Sequence, residues 1–364
     1  MNYPVPPAVI PLTLAIFRAM PRSKKVAVGR GVAVPAARRT AARQIARILK
    51  PGMKVALLTH VNADGDGSGS EVGMWHILAA RGIRVVITNP TPFPGRYRFL
   101  LQGVEHADKS PQAVKHLERA DAVIVLDISD LGRLGHLGPI VAASGAPVIC
   151  IDHHATDGSL PAGPRLVDAH ACATGELVYD LAQSLKWPIP SGAARALYVA
   201  IMTDTGGFRF SNTSPRALQV AAHLLQHGLD PEQIYSSVYA TSSEARIRLM
   251  GEVLDTLVVE PDRGLAWVTV PPGALARHHV EAEDLEGLVE FPRSIQGVRL
   301  ALLFRQLANG RIKVSFRSVG DVDVSKLAAR FDGGGHRRAA GASLEGSLAD
   351  TQAKVLATAR EFIA

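Results

Sequence analysis

Long apolar runs are missing from this sequence, and so is any framework of cysteines. No stretch of the 364 residues reaches the roughly 18–20 uninterrupted apolar residues that cross a bilayer. The run Ala8–Phe17 is broken by Pro11, ends at Arg18 and follows no charged segment, which makes it a poor export signal. The two cysteines, Cys150 and Cys172, supply neither a disulfide framework nor a four-thiolate metal site. They point to a reducing, cytoplasmic compartment. Aromatic residues make up only 5%, too few for an extended platform on which single-stranded nucleic acid would stack. Acidic residues are absent before Asp64, whereas eleven of the 40 Lys and Arg residues precede it. From Asp64 onward 29 basic residues face 33 acidic ones, so the net charge of +7 is an N-terminal property and not that of a duplex-binding surface.

What is present is a soluble globular composition, 47% hydrophobic and 20% charged, at a length that suggests about two domains. Residues 1–39 read as a basic leader without a fold of its own. A helix from about Thr40 places Ala41, Ile45, Ile48 and Leu49 on one face and is closed by Pro51-Gly52. The apolar runs Lys54–Thr59, Arg84–Thr88, Ala122–Asp127 and Pro147–Asp152 read as strands alternating with helices; a glycine-rich turn follows the first of them and then a helix to about Ala80. That alternation predicts an α/β fold built on a parallel sheet covered on both faces, with ligands beyond the carboxyl ends of the strands. Helices are expected over Ala173–Leu185, Ser191–Met202, Pro215–His227 and Ser243–Thr256. Strands follow at Leu265–Val270, Val298–Arg305 and Arg311–Phe316, the last two joined by the hairpin signal Asn309-Gly310. A Gly333–Gly335 turn and a helix near Leu348–Phe362 end the chain. The expected organisation is a first domain over 40–242, a connector helix over 243–256 and a smaller α/β domain over 257–364.

Chemistry concentrates at the predicted strand ends. His60, Asp64 and Asp66 follow the first strand, Asp127 ends the third, and Asp152, His153 and His154 end the fourth; Asp204 closes a helix in Thr203-Asp-Thr-Gly206. Taken singly, an Asp-Gly-Asp turn or a strand-end aspartate is an ordinary loop or cap. Together they place five carboxylates and three imidazoles at one sheet edge, a crowding of like charge that bound cations would relieve. Mixed imidazole and carboxylate donors suit Mn²⁺, Co²⁺, Fe²⁺ or Zn²⁺ better than Mg²⁺.

In order along the chain, His60-x-x-x-Asp64-Gly-Asp66-x-x-Gly69-Ser70, Asp127, Asp152-His153-His154 and Thr203-Asp204-Thr205-Gly206 resemble the DHH phosphoesterase superfamily. Gly333-Gly334-Gly335-His336, Ala339-Ala340-Gly341 and Lys313-Val-Ser315-Phe-Arg317-Ser318 resemble the substrate-binding domain of its RecJ-like branch, and within it the compact NrnA-type proteins. The likeness spans about residues 40–364. It implies a catalytic first domain, a substrate-binding second domain and an active site in the cleft between them. It also implies two divalent metal ions, Mn²⁺ first with Mg²⁺ or Co²⁺ as alternatives. His60, Asp64 and Asp127 would hold one, and Asp66, Asp127, His153 and Asp204 the other, with Asp127 bridging as in two-metal phosphoryl chemistry. His154 would then contact a phosphate oxygen, with Asp152 orienting the histidines from behind. Arg317, Ser318, Gly333, Gly334, Gly335 and His336 would bind the far phosphate of the substrate through side chains, close backbone approach and a helix starting at the glycines, with Arg209 as a further phosphate contact. Two departures stand out: Ala63 where the family often has Pro, and Asp332 where a further Gly is usual.

The activity implied is hydrolysis of short RNA oligonucleotides to mononucleotides and of pAp to AMP. No membrane and no obligate protein partner are implied, and a homodimer is compatible. A phosphodiesterase for c-di-AMP or linear dinucleotides such as pApA and pGpG shares the catalytic half. Inorganic pyrophosphatases would carry a different second domain, and a long-strand exonuclease would need a further oligonucleotide-binding domain. A non-catalytic RNA-binding protein using the basic leader is the reading of another class.

Overall fold

Short runs of aliphatic side chains become the strands β1 (Lys54–Leu58), β2 (Arg84–Ile87), β3 (Ala122–Leu126) and β4 (Val148–Asp152), with a fifth, β5 (Arg165–Val167), that the apolar pattern did not mark. The structure is a computed structural model that describes residues 31–106, 110–128, 130–155, 160–240 and 242–363. It divides after Ala240 into two units. In the first, the strands form one parallel sheet in the order β2-β1-β3-β4-β5. The helices are α1 (Ala36–Ile48), α2 (Gly65–Ala79), α3 (Ser110–Glu118), α4 (Gly138–Ala142), α5 (Thr174–Leu185), α6 (Ser191–Asp204), α7 (Pro215–Leu225) and α8 (Pro231–Tyr235). Period-two alternation divides each strand between two cores. Val55 and Leu57 of β1 pack with Ile45, Ile77, Leu177 and Leu197, whereas Ala56 and Leu58 pack with Leu117 and Val141 on the other face.

This strand order reverses direction between β1 and β3, and a crevice opens beyond the carboxyl ends of the strands at such a switch point. His60 follows β1 and Asp127 follows β3, so the two flank it.

Two expectations on this unit change. Residues 36–39, placed in the leader, are the first turn of α1, and Arg38 is buried there; residues 1–30 of that leader lie outside the described residues. The glycine-rich segment after β1 is not a turn but the start of α2, capped by the Asp64 carboxylate, which accepts from Asp66 N and Gly67 N. Glycine is needed there for packing: a Cβ at Gly69 would stand 2.5 Å from the Ala196 carbonyl of α6.

The second unit opens with α9 (Glu244–Leu254), followed by β6 (Val258–Glu260), β7 (Leu265–Thr269), α10 (Ala274–His278) and α11 (Glu290–Arg293). It continues through β8 (Leu300–Gln306), β9 (Ile312–Ser318), α12 (Val324–Ala329), β10 (Gly334–His336), β11 (Ala339–Leu344) and α13 (Leu348–Phe362). Its sheet has the order β10-β11-β9-β8-β7-β6, antiparallel except for the parallel pair β7–β8. The expected connector helix is part of this unit, since Leu249 and Val253 of α9 are buried with Ala266, Val268, Ala301 and Leu303. Among the described residues no helix is long and apolar enough to cross a membrane.

Candidate active site

Each carboxylate and imidazole at the switch point is aimed by the element that ends beside it. His60 turns Nδ1 to its neighbour's carbonyl, Val61 O (2.9 Å), which leaves Nε2 facing Asp127 Oδ2 (3.6 Å) and Asp64 Oδ1 (3.8 Å). A carbonyl only accepts, so Nδ1 carries a proton in either state, and Nε2 presents a lone pair once the ring gives up its second proton. His153 Nε2 faces Asp66 Oδ2 (3.6 Å), Asp127 Oδ1 (3.7 Å) and Asp204 Oδ2 (3.8 Å). These separations are too long for hydrogen bonds. The donor atoms nevertheless gather, within 4.8 Å of one another, into three groups: His60, Asp64, Asp127; Asp66, His153, Asp204; and Asp127, His153, His154. Atoms that converge without bonding to each other suit a shared cation. Asp127 belongs to two of the groups.

Asp127 stands in left-handed backbone (φ 57°) directly after β3, a conformation costing a non-glycine residue of order 1–3 kcal/mol and typical of functional sites. Its backbone N–H donates to Ile151 O of β4, which fixes the turn. His154 Nδ1 lies 2.8 Å from Asp152 Oδ1, which also accepts from the His154 backbone N–H. The same Nδ1 stands 3.6 Å from Asp127 Oδ1, so His154 sits closer to the cluster than a purely outer residue.

The electrostatics are those of a site short of positive charge. Burial drives the Asp66 carboxyl well above its ordinary range, and the charges of Asp127, Asp204 and Asp64 add to this against the opposing Thr174 N–H. Burial likewise pushes Asp204 up to about 6, opposed by His153 and reinforced by Asp127 and Asp64. Burial alone would lower His60, but Asp127 and Asp64 raise it to about 10. Against the same burial effect, the three imidazoles hold Asp127 below the usual carboxylate range. Protons and cations therefore compete for this cluster.

Sequence reasoning missed the donors that hold Asp66. Thr174 N (2.6 Å) and Gly175 N (3.0 Å) of α5 donate to its two oxygens, joined by Ser70 Oγ (2.9 Å), while Thr174 Oγ1 donates to Asp127 Oδ1 (3.0 Å). The N-cap of α5 is Ala173, which has no capping side chain, so Asp66 caps it from α2. An uncapped helix start in the sequence was the available signal. Asn212 Nδ2 also reaches Asp204 Oδ2 (3.2 Å).

Behind His60 lies a further acid. Glu71 of α2 is fully buried and accepts from Asn89 Nδ2 (2.7 Å). Burial pushes its carboxyl up to about 8, against the pull of Asn89 and His60. The folded chain thus holds this proton from about pH 4.5 to about 8 while the unfolded chain has released it. Stability from this group is complete below that window and falls through it by up to about 1.4 kcal/mol per pH unit. Glu71→Gln does not titrate, so its stability relative to the parent should rise from pH 5 to 8 and level off above. Denaturant titrations in chelator check this; a difference independent of pH would contradict it.

In the second unit the predicted residues fall on neighbouring strands, with Arg317 of β9 and His336 of β10 in one row on either side of Ala339 in β11. The His336 side chain lies outside the described residues. Arg317 is half-buried and directs Nε to Glu290 Oε1 (3.1 Å). Ser318 is a correction: it is fully buried, and its hydroxyl donates to Val322 O (2.7 Å), so it has no surface to offer a substrate. The helix expected to start at the glycines is a second correction. Gly334–His336 form the edge strand β10, and a Cβ at Gly333 or Gly335 would lie 2.3 Å from Gly341 O or 2.5 Å from Ala339 O. Asp332, the departure from glycine, adopts φ 56°, a left-handed conformation that aspartate tolerates better than most residues. Arg209 donates Nε–H to Gly206 O (2.7 Å) in the loop after Asp204.

Comparison with known proteins agrees with this arrangement. The N-terminal domain of the DHH family matches residues 54–201, and the DHHA1 domain matches residues 268–364. A Thermus thermophilus protein named bifunctional oligoribonuclease and PAP phosphatase NrnA is 32% identical over 329 residues, 88% of this chain and 93% of that protein. The crystal structure of an exopolyphosphatase-related protein from Bacteroides fragilis superposes with a TM-score of 0.83 at 31% identity, covering 89% of this chain and 96% of that one. RecJ from Thermus thermophilus, solved with Mn²⁺, shares the fold at a TM-score of 0.50 and 17% identity, covering 93% of this chain and 56% of RecJ. On the match of both domains and of a relative 32% identical over 93% of its length, this chain belongs to the DHH family.

Proposed function

We propose that the chain is a divalent-cation-dependent phosphoesterase that degrades short oligoribonucleotides to mononucleotides and converts pAp to AMP in the cytoplasm. The observation that carries this reading is the pair of acid–imidazole groups sharing Asp127 at the β1/β3 switch point. Their donor chemistry fits two divalent ions. His60, Asp64 and Asp127 would hold one, and Asp66, Asp127, His153 and Asp204 the other, with Mn²⁺ ahead of Mg²⁺ and Co²⁺ because the donors mix nitrogen and oxygen. When bound, such cations supply Lewis-acid polarisation of the phosphate and lower the pKa of a water nucleophile.

The chain's own residues do the rest. Asp152 holds the His154 imidazole through Nδ1. Burial would discharge that ring, but Asp152 and Asp127 raise its pKa, which favours the protonated form that can donate to a phosphate oxygen as charge builds. Thr174, Gly175 and Ser70 fix Asp66 against rotation. Arg209, Arg317, His336 and the backbone of Gly333, Gly334 and Gly335 are the groups proposed to meet the remaining phosphate. On this proposal the preferred RNAs are short, about two to five nucleotides.

A substrate panel tests the reading. With Mn²⁺ supplied, 5′-phosphorylated RNAs from 2-mer to 24-mer, pAp, c-di-AMP, pGpG and pyrophosphate are compared by kcat/KM. The shortest RNAs and pAp should lead. Preference for pyrophosphate, or equal rates on 2-mer and 24-mer, would contradict the reading.

A further inference from the structure

The segment after Asp204 is built more rigidly than holding one carboxylate requires. Gly206, Gly207 and Phe208 are successively left-handed (φ 59°, 69° and 66°), and for an aromatic residue that conformation is an outlier. Both ends are tied to the site. Arg209 N and Phe210 N donate to Thr205 O (2.9 and 3.0 Å), and Asn212 Nδ2 donates to Asp204 O and Oδ2 (3.2 Å each) and to Cys172 O (3.0 Å). The outcome is two phenylalanines with opposite fates. Phe208 turns inward, packs against the core and meets the Tyr198 ring at 6.0 Å. Phe210 turns outward: its ring lies over Gly206, where a Cβ would come within 2.5 Å of it, and the residue stays 46% exposed.

An exposed phenylalanine on its own needs no explanation. This one is held by a strained, doubly anchored loop, over a residue two positions from a carboxylate of the cluster. Two residues of chain span at most about 7 Å, roughly the reach from a phosphate to the base it carries. Aromatic side chains recognise nucleobases by their π-faces and tolerate any sequence.

We propose that Phe210 is a positioning residue that stacks on the nucleobase of the nucleotide whose phosphate is at the Asp127 cluster, selecting base-bearing nucleotides over phosphate esters without a base. This rests on the phosphoesterase reading and names its substrate class. The test compares Phe210→Ala, Phe210→Leu and Phe210→Trp on a 5′-phosphorylated diribonucleotide and on the same compound abasic at the cleaved nucleotide. Phe210→Ala and Phe210→Leu should raise KM for the base-bearing substrate about 5- to 100-fold, with kcat little changed and the abasic substrate unaffected. Phe210→Trp should restore KM. A rise shared equally by both substrates, or no rise, would overturn the proposal while leaving the phosphoesterase reading standing. A readout free of turnover separates the two: in Mg²⁺, the added fluorescence of Phe210→Trp over the parent should be quenched by AMP and not by ribose 5-phosphate. Quenching without hydrolysis of any substrate would sink the phosphoesterase reading alone; equal quenching by both ligands would sink the stacking.

Discussion

Asp127→Ala is expected to lower turnover of short oligoribonucleotides at saturating Mn²⁺ by at least about 10³-fold. Removing one charge-stabilising contact in an active site typically costs 10²–10³ in rate, and Asp127 enters two of the three donor groups. No neighbour can replace it, because Asp66 is already held by Thr174, Gly175 and Ser70, and Asp204 is reached by Asn212. The fold should survive. Asp127 is one of the carboxylates whose repulsion raises Asp66, so its loss relieves that repulsion even as it removes the Thr174 hydrogen bond and the acidic partner of His60, His153 and His154. Alanine, however, tolerates the left-handed φ of 57° poorly. Asp127→Asn is therefore the cleaner variant: asparagine accepts that backbone and keeps the volume, while the charge is gone. The two variants should lose activity together and differ in melting temperature, Asn being the more stable. Steady-state rates with thermal melts of both decide it, and more than a tenth of the parent rate in either would contradict the shared role of Asp127.

Arg38→Ala should cost about 3–5 kcal/mol of stability, the range for removing one partner of a buried ion network. Arg38 is 4% exposed and meets Asp168 Oδ2 (2.7 Å), Glu176 Oε1 (2.6 Å) and Asp180 Oδ2 (2.8 Å). Burial would lower its pKa, yet Asp180, Glu176 and Asp168 hold it above the ordinary value. Arg216 pairs with the same Glu176 (2.9 Å) and with Asp180. Without Arg38 two buried acids share one guanidinium, although burial already pushes Asp180 up to about 6 with both in place. Glu176 sits in the first turn of α5, two residues from the Thr174 backbone that holds Asp66, so some loss of activity should accompany the loss of stability. Guanidinium denaturation gives the number. Deleting residues 1–39 should cost more than Arg38→Ala, because it also removes the first turn of α1, the Val32 N–H bond to the Tyr179 hydroxyl and the Arg216 contact with Ala33 O, whereas deleting residues 1–30 should spare the network. A cost below about 1 kcal/mol for Arg38→Ala would show that Arg216 alone suffices.

The cluster of acids and imidazoles was legible because strand ends are visible in sequence. Apolar runs break at His60, Asp127 and Asp152-His153-His154, and a parallel sheet gathers such breaks at one edge. What stayed hidden depends on partners distant in the chain. Ala173 reveals that α5 lacks a cap but not that Asp66, about a hundred positions earlier, provides one. Arg38 looked like one more charge in a basic leader because Glu176 and Asp180 are separated from it by most of the first unit. Glycine misled twice for one reason. Gly69 in α2 and Gly333 and Gly335 beside β11 are there because a neighbouring backbone leaves no room for a Cβ, and the sequence does not distinguish this from a turn. Ser318 was misassigned because its hydroxyl serves Val322 inside the second unit, a contact fixed by the return of the chain after β9.

The central claim is that these side chains form a cation centre, and counting the cations tests it. Protein stripped by chelation, dialysed against Mn²⁺ and measured by inductively coupled plasma mass spectrometry should hold about two Mn²⁺ per chain at neutral pH. Occupancy should fall as pH drops through the range where Asp66 and Asp204 take up protons, and Asp127→Asn should bind less than one. Retention of two Mn²⁺ by Asp127→Asn, or no stoichiometric Mn²⁺ on the parent protein, would contradict the account.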